Sequence, residues 1–494
     1  MDISRRRVTA GLGALALMPA LAKAAPACGF PDWAAAQRPR LERMAAELTA
    51  RLKPWSGPKR VATPEHFGHV AGAALSAKAI QAAIDAVATK GGGTVRLAHG
   101  DYVSGTIELR DHTRLEIAKG ARLLGSLDLA DWPDRVAKRP TVMDSNMGMN
   151  QSLIHAEGCR NISLAGKGMI YGRGYKTNFS GPETSGATPG RPFVIRIIDC
   201  QGVHIRDLHL RDSPCWMQNY LNCEDLLMEG LVIENQANFN NDGVDIDGCR
   251  RVIVRNCWIN AEDDALCFKG ASQRPMDEVL VENCQCWSQT NGIKFGTDSE
   301  GDFRNVLVRH CQVGGPTAEM NAARHRRSDS GISWESVDGG TVENILATDI
   351  TILRAKSPLF LRLGDRARKR PEQPRPGVGQ LRRIVFERIT GDETGPRGSY
   401  FIGLPGHRIQ DVALRDITFR SDATANAIVD ETTIDEMPDH YPDALMIPGD
   451  TPARGLWARH IENLTIQGFT VTTATADPRA LVCARTDAEK ICGA

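Results

Sequence analysis

The sequence predicts an all-β chain: a right-handed, single-stranded parallel β-helix with N-terminal capping helices. Three observations predict it. Short apolar strands recur behind polar turns, as in Gly202-Val203-His204-Ile205 and Asp225-Leu226-Leu227-Met228. From Val203 the equivalent positions are 226, 252, 279 and 306, steps of 23, 26, 27 and 27 residues with no helical stretch inside them. A strand-rich period in the twenties is the coil length of a solenoid that buries each apolar face against the coils above and below. Finally, two helical patterns precede the repeat and end at a glycine run.

From the N-terminus, Arg5-Arg6-Arg7 followed by the apolar run Val8 to Ala22 matches an export leader, residues 1–24, and Ser4-Arg5-Arg6 matches its twin-arginine type. The run is too short to span a bilayer, which takes about 20 apolar residues. A periplasmic or secreted location and no membrane span after cleavage are therefore expected. Residues 25–90 form the helical cap region: Leu41, Met44, Ala45, Leu48 and Leu52 follow the 3.6-residue period, and Ser76 is placed to cap a helix carrying Ile80, Ile84 and Val87. Both helices are expected to cover the open end of the solenoid, whose bare strand edges need a cap. Residues 91–494 are the β-helix, with Asn344-Ile345, Arg383-Ile384, Asp411-Val412 and Asn463-Leu464 as later coils separated by inserted loops.

Sixty basic residues balance sixty acidic ones, and loss of residues 1–24 leaves 56 against 59. This argues against a nucleic-acid partner, which demands a basic surface; a sugar polymer and a monomeric protein are expected. Cys159, Cys200, Cys223 and Cys249 recur before similar strand residues, as stacked inward positions would. No paired CxxC motif has zinc spacing, and neither metal nor cofactor is expected. Export would permit one bridge, Cys483–Cys492.

The densest polar region is Asn240-Asn241-Asp242-Gly243-Val244-Asp245-Ile246-Asp247, then Glu262-Asp263-Asp264-Ala265-Leu266-Cys267-Phe268-Lys269. Pairing Val244 with Leu266 and Ile246 with Phe268 sets Asp242 over Asp264, and the column continues through Asn291, Lys294 and Ser333-Trp334-Glu335. Coils are about 4.8 Å apart, so Asp242, Asp263 and Asp264 converge. Crowded carboxyls keep a proton near neutrality, as glycoside hydrolysis requires. The residues alone leave open a calcium site or a ladder of Asn/Asp turns.

The chain also resembles glycoside hydrolase family 28, the polygalacturonase-type parallel β-helix hydrolases. Gly91-Gly92-Gly93-Thr94-Val95 with Gly100-Asp101-Tyr102 and Gly105-Thr106-Ile107 resembles that family's first coils, and Asp212-Ser213-Pro214-Cys215-Trp216 its DSPxW turn. Asn240-Asn241-Asp242-Gly243 stands for N-x-D-G and Asp263-Asp264 for its aspartate pair, 21 residues after Asp242. The resemblance, over roughly residues 60–470, implies inverting hydrolysis of a pectin-type polysaccharide or oligosaccharide: Asp263 as general acid, Asp242 and Asp264 positioning and deprotonating water. Two motifs depart: Thr290-Asn291-Gly292 replaces Gly-His-Gly, and Ser333-Trp334-Glu335 replaces Arg-x-Lys. Glu335 would repel a uronate. Asn240, Asp245, Lys269, Asn291, Lys294, Trp334 and Glu335 are the candidate substrate contacts. Lys269, Lys294, Arg324, His325 and Arg362 are alternative sources of positive charge; Lys269 and Lys294 face outward, where an ordinary solvated ladder is the competing reading. Trp334 is either a sugar-stacking platform or core. The stretches holding Arg324-His325-Arg326-Arg327 and Arg366, Arg368 and Arg370 are expected on the cleft rim. The segment from Tyr441 to His460 resembles one in bacterial relatives. The competing activities are a β-helix polysaccharide lyase and a non-catalytic glycan-binding β-helix.

Overall fold

The computed structural model describes residues 29–141, 150–180, 190–321, 326–368, 374–425, 427–485 and 491–492. The expected export leader lies outside them, as do Arg324, His325 and Arg370. The rest is a right-handed parallel β-helix, the hand that parallel crossovers almost always take. The coil register read from sequence is the register of the structure: Val203 pairs with Leu226, then Val252, Val279, Val306, Ile345, Ile384, Val412 and Leu464. One left-handed corner residue precedes nearly every step, from Asn161, Gly202 and Asp225 through Arg251, Glu278 and Asn305 to Asn463. Asn, Asp and Gly accept that conformation readily. Arg251 and Glu278 accept it because the stacked coils on either side dictate the corner.

Inside the tube the apolar residues stack, and Cys200, Cys223 and Cys249 stack with them. These thiols cap backbone groups at the corner: the amide of Cys223 donates to Cys249 Sγ at 3.2 Å, and Cys249 Sγ donates to the Tyr220 carbonyl at 3.4 Å.

The two helices divide the labour the sequence reading gave to both. Helix α2 (Ala77–Ala88) does close the tube, burying Ile80, Ala83, Ile84 and Val87 in the main core. Its Ser76 makes no side-chain cap; the hydroxyl contacts His69 Nδ1 at 3.1 Å instead. The glycine run turns sharply after it: Gly92 has φ 107°, and a Cβ there would lie 2.3 Å from the His112 carbonyl oxygen. Helix α1 (Asp32–Arg51) covers no end. It lies along the flank, packing Leu41, Ala45 and Leu48 on an outward apolar row of Leu227, Ile253, Leu280, Leu307, Leu346, Val385 and Ala413. Twenty residues of helix rise about 30 Å, matching six coil steps of about 4.8 Å. Gln37 Nε2 donates to the Ile345 carbonyl at 2.6 Å, and Arg51 Nε to Asp225 Oδ1 at 2.7 Å, fixing its register.

Cys483 is a free thiol. Its strand pairs beside Trp457, whereas the strand of Cys492 pairs beside Thr465 in the other sheet, so the expected bridge is not formed.

Candidate active site

Four consecutive strands of the twelve-stranded sheet carry the site: β1 (Val244–Asp247), β2 (Leu266–Gly270), β3 (Asn291–Ser299) and β4 (Ser328–Ser336). Their register is Val244–Leu266–Ile293–Ile332 and Ile246–Phe268–Phe295–Trp334 on the inward side. Strand alternation then puts Asp245, Cys267, Lys294 and Ser333 in one outward column. Asp242 and Asp264 sit at the corners that enter β1 and β2, where the Gly243 amide donates to the Asp264 carbonyl at 2.9 Å. Two buried asparagines hold those corners. Asn241 Nδ2 donates to the carbonyls of Ser213 and Cys215 at 3.0 and 2.8 Å, and Asn235 Nδ2 to those of Cys215 and Asp242 at 3.1 and 2.8 Å. The Asp212–Trp216 turn is thus the scaffold of Asp242.

The three aspartates come together as the register requires, yet their surroundings differ. Asp242 and Asp264 are each 3% exposed, whereas Asp263 is half-buried. Lys294 Nζ lies 3.2 Å from Asp264 Oδ2; Asn291 Nδ2 donates to Asp264 Oδ1 at 2.6 Å. Burial alone would raise Asp264, but Lys294 and Lys269 outweigh it and hold the carboxyl below its ordinary value. Burial pushes Asp242 well up, with Asp245 and Asp263 adding to the effect, and burial followed by the nearby Asp264 charge pushes Asp263 up. Asp245, also buried, rises to about 7 against the pull of Lys269.

One hydroxyl joins the pair. Thr290 Oγ1 lies 2.9 Å from Asp263 Oδ1 and 3.0 Å from Asp264 Oδ1. A hydroxyl carries a single proton, so both contacts are hydrogen bonds only when one carboxyl brings its own. The opposite shifts of the two groups make Asp263 the one that keeps a proton more readily and Asp264 the one that keeps the charge.

Several candidate contacts are placed differently from expectation. Trp334 is fully buried, stacked between Phe295 and Phe386 with ring centroids 5.1 and 4.9 Å away, because its position in β4 alternates inward; it is core and offers no sugar platform. Lys269 and Lys294 do point to the outer side of the sheet, but they form no solvated ladder. Lys269 Nζ is 3.3 Å from Asp245 Oδ1, 3.9 Å from Asp242 Oδ2 and 4.5 Å from the Trp216 ring centroid. Asp245 is wholly buried beneath that pair. Asn291 is spent on Asp264 and on Ser330, whose hydroxyl donates to its Oδ1 at 2.6 Å. Asn240 Oδ1 accepts from Arg191 Nη2 at 2.9 Å. Glu335 is 1% exposed; its Oε1 accepts from the Ser333 hydroxyl at 2.6 Å, and burial, opposed by Lys294, pushes it up to about 7. Near pH 7 it is therefore not the fixed repelling charge the sequence implied.

Arg362 supplies no charge to the cleft, since its guanidinium donates to the carbonyls of Glu436 and Met437 at 2.8 and 2.7 Å. Arg366 and Arg368 pair with Asp298 and Asp338, and Arg327 pairs with Asp422, so these three arginines are neutralised within the chain. Thr290, Arg191, Asn235 and Asn241 contact the site without having been singled out from the sequence, though Thr290 and Asn241 stood inside quoted motifs. Asp242, Asp264 and Cys267 bring one ligand-capable atom each within 4.8 Å. Two ammonium groups already supply the positive charge there, and burial pushes the thiol up, so the set is an ion-paired carboxyl cluster by its chemistry.

Beyond β4 the sheet's outer face is covered. Ile434, Met437, Ala444, Met446 and Ile447 pack on Phe360, Tyr400 and Trp457, and Tyr441 from the same stretch brings its hydroxyl 3.4 Å from Lys294 Nζ.

The sequence model of Glycosyl hydrolases family 28 matches residues 113–435. The chain belongs to this family. A probable polygalacturonase of Vitis vinifera is 27% identical over 214 residues, 41% of this chain and 43% of that protein. An exo-poly-alpha-D-galacturonosidase of Dickeya chrysanthemi is 24% identical over 257 residues, 43% of this chain and 42% of that protein. The chain thus spans less than half the length of these curated relatives. The family 28 exopolygalacturonase of Yersinia enterocolitica shares the fold, with a TM-score of 0.66 at 17% identity over 87% of this chain and 78% of that one.

Proposed function

We propose that this family 28 protein hydrolyses glycosidic bonds of a pectin-type polysaccharide or oligosaccharide by acid/base catalysis on Asp263 and Asp264. The observation that carries the reading is the meeting of two carboxyls at Thr290 in surroundings that raise one and lower the other. Asp263, only half-buried, gives its proton to the leaving oxygen; Asp264, held ionised by Lys294, takes one from the attacking water. Asp242, kept neutral by burial, donates a hydrogen bond that orients that water and is not a second base. Inversion rests on the family resemblance and not on spacing: the oxygens touching Thr290 are no more than about 6 Å apart, short of the window of about 6.5–9.5 Å usual for inverting pairs. NMR of the first-formed anomer decides it.

The covered face beyond β4 supports attack from a chain end, since a polymer lying along the sheet meets the stretch 434–447 directly after Lys294. The names of the Dickeya and Yersinia relatives point the same way. Export through a leader at residues 1–24, maturation to a monomer of helical region 25–90 and solenoid 91–494, and action in the periplasm or outside the cell complete the proposal. No helix among the described residues is long and apolar enough to cross a membrane. Product release by the mature protein from polygalacturonan, rhamnogalacturonan and neutral glycans, beside Asp263→Asn, tests it. Sugar release from one polymer that falls about 10²–10⁴-fold in the variant is expected. Binding without release by the wild type would refute hydrolysis.

A further inference from the structure

The geometry points to Thr290 as the relay that resets the acid/base pair after each turnover; this rests on the hydrolase reading above. One catalytic event leaves Asp263 ionised, having given its proton to the leaving oxygen, and Asp264 protonated, having taken one from water. Both must reverse before the next bond is broken. Asp264 is 3% exposed, with Lys294 at its Oδ2 and Asn291 at its Oδ1, so a directly bonded hydroxyl is a shorter exit for its proton than bulk solvent. Thr290 Oγ1 touches both carboxyls, at 2.9 and 3.0 Å. The proton on Asp264 Oδ1 passes to Thr290 Oγ1 while the hydroxyl's own proton passes to Asp263 Oδ1. One O–H bond forms at each acceptor as one breaks at each donor. Asp263 ends neutral, Asp264 ends charged, and the hydroxyl is unchanged.

The neighbouring hydroxyl cannot take this part. Ser288 Oγ donates its proton to the Asp263 carbonyl oxygen at 2.5 Å and accepts from the Thr290 amide at 2.8 Å. That arrangement also fixes the backbone of Thr290, which keeps its side chain aimed between the two carboxyls. Its remaining contact to Thr290 Oγ1 is 3.3 Å, longer than either carboxyl contact.

Thr290→Val, which keeps the branched shape and loses the hydroxyl, and Thr290→Ser, which restores it, separate a relay from a structural role. The substrate is the polymer from which the wild type releases sugar. With enzyme in excess, the first turnover of Thr290→Val should slow, because the acid loses a hydrogen bond, but its steady-state kcat should fall about tenfold or more beyond that loss and rise with the concentration of a small buffer acid. Thr290→Ser should restore kcat and remove the buffer dependence. An unchanged, buffer-independent kcat in Thr290→Val overturns the relay, and so does an equal loss in the first turnover and in steady state. Should Thr290→Val not fold, Thr290→Ala takes its place: a loss in steady state that exceeds the loss in the first turnover and is relieved by buffer acid is expected, and equal losses overturn the relay. If the wild type releases no sugar at all, the hydrolase reading has failed before Thr290 is altered.

Discussion

Lys294→Met asks whether the ammonium is what keeps Asp264 ionised. The pair is buried on both sides, each side chain 4% exposed, with Nζ 3.2 Å from Oδ2. At an effective dielectric of about 20 that separation corresponds to about 5 kcal/mol of attraction. Breaking a buried pair by deleting one partner typically costs about 3–5 kcal/mol. Lys269 and Asn291 still favour the charge after the substitution but do not replace the lost ammonium, so Asp264 takes up its proton at a higher pH than in the wild type. Asp264 as base must be ionised, so the acid limb of kcat marks its titration; raising it moves that limb upward in pH. Lys294 also draws Asp263 down, so the alkaline limb, where the acid loses its proton, moves upward as well. The assay is kcat against pH for wild type and Lys294→Met, with Lys294→Arg as the charge-preserving control. The whole bell should slide to higher pH, with about 10²–10⁴-fold less activity on the acid side of the wild-type optimum. A bell of lower height in its original position would refute the electrostatic account and leave Lys294 as a packing residue.

Two further outcomes follow from the placements. Trp334→Ala should destabilise the fold by about 3–5 kcal/mol, the cost of an emptied aromatic core position, and so lower the denaturation midpoint, while KM of the folded variant stays at the wild-type value; a raised KM with an unchanged midpoint would return Trp334 to the cleft. Glu335 rises to about 7 and is charged above that pH, so Glu335→Gln should increase kcat/KM on polygalacturonan at pH 8 by about tenfold and leave it unchanged at pH 5. Equal effects at the two pH values would show that its charge does not act on the substrate.

The coil register and the meeting of Asp242 with Asp264 were legible because both depend on local rules: period-two alternation along a strand and a constant step between coils. The same rules placed Trp334 inward in line with Ile246, Phe268 and Phe295, and the core reading followed from that alignment alone. The flank helix left a trace as well. Leu226-Leu227-Met228 and Val279-Leu280-Val281 are apolar at the middle, outward position, which a solvated solenoid face would not tolerate. That row announced a cover; it did not say that α1, almost two hundred residues earlier, would supply it.

The tube, its step and the carboxyl cluster at one corner are written in the residues themselves, because each follows from neighbours in the chain or from a repeat of fixed length. The state of that cluster is set by the folded molecule. Lys294 reads as an exposed strand lysine until Tyr441 brings its hydroxyl beside it, and Asp264 keeps its charge because the buried ammonium lies 3.2 Å from it. Protonation depends on what excludes water from a group, and here part of what excludes it lies about 150 residues further along the chain.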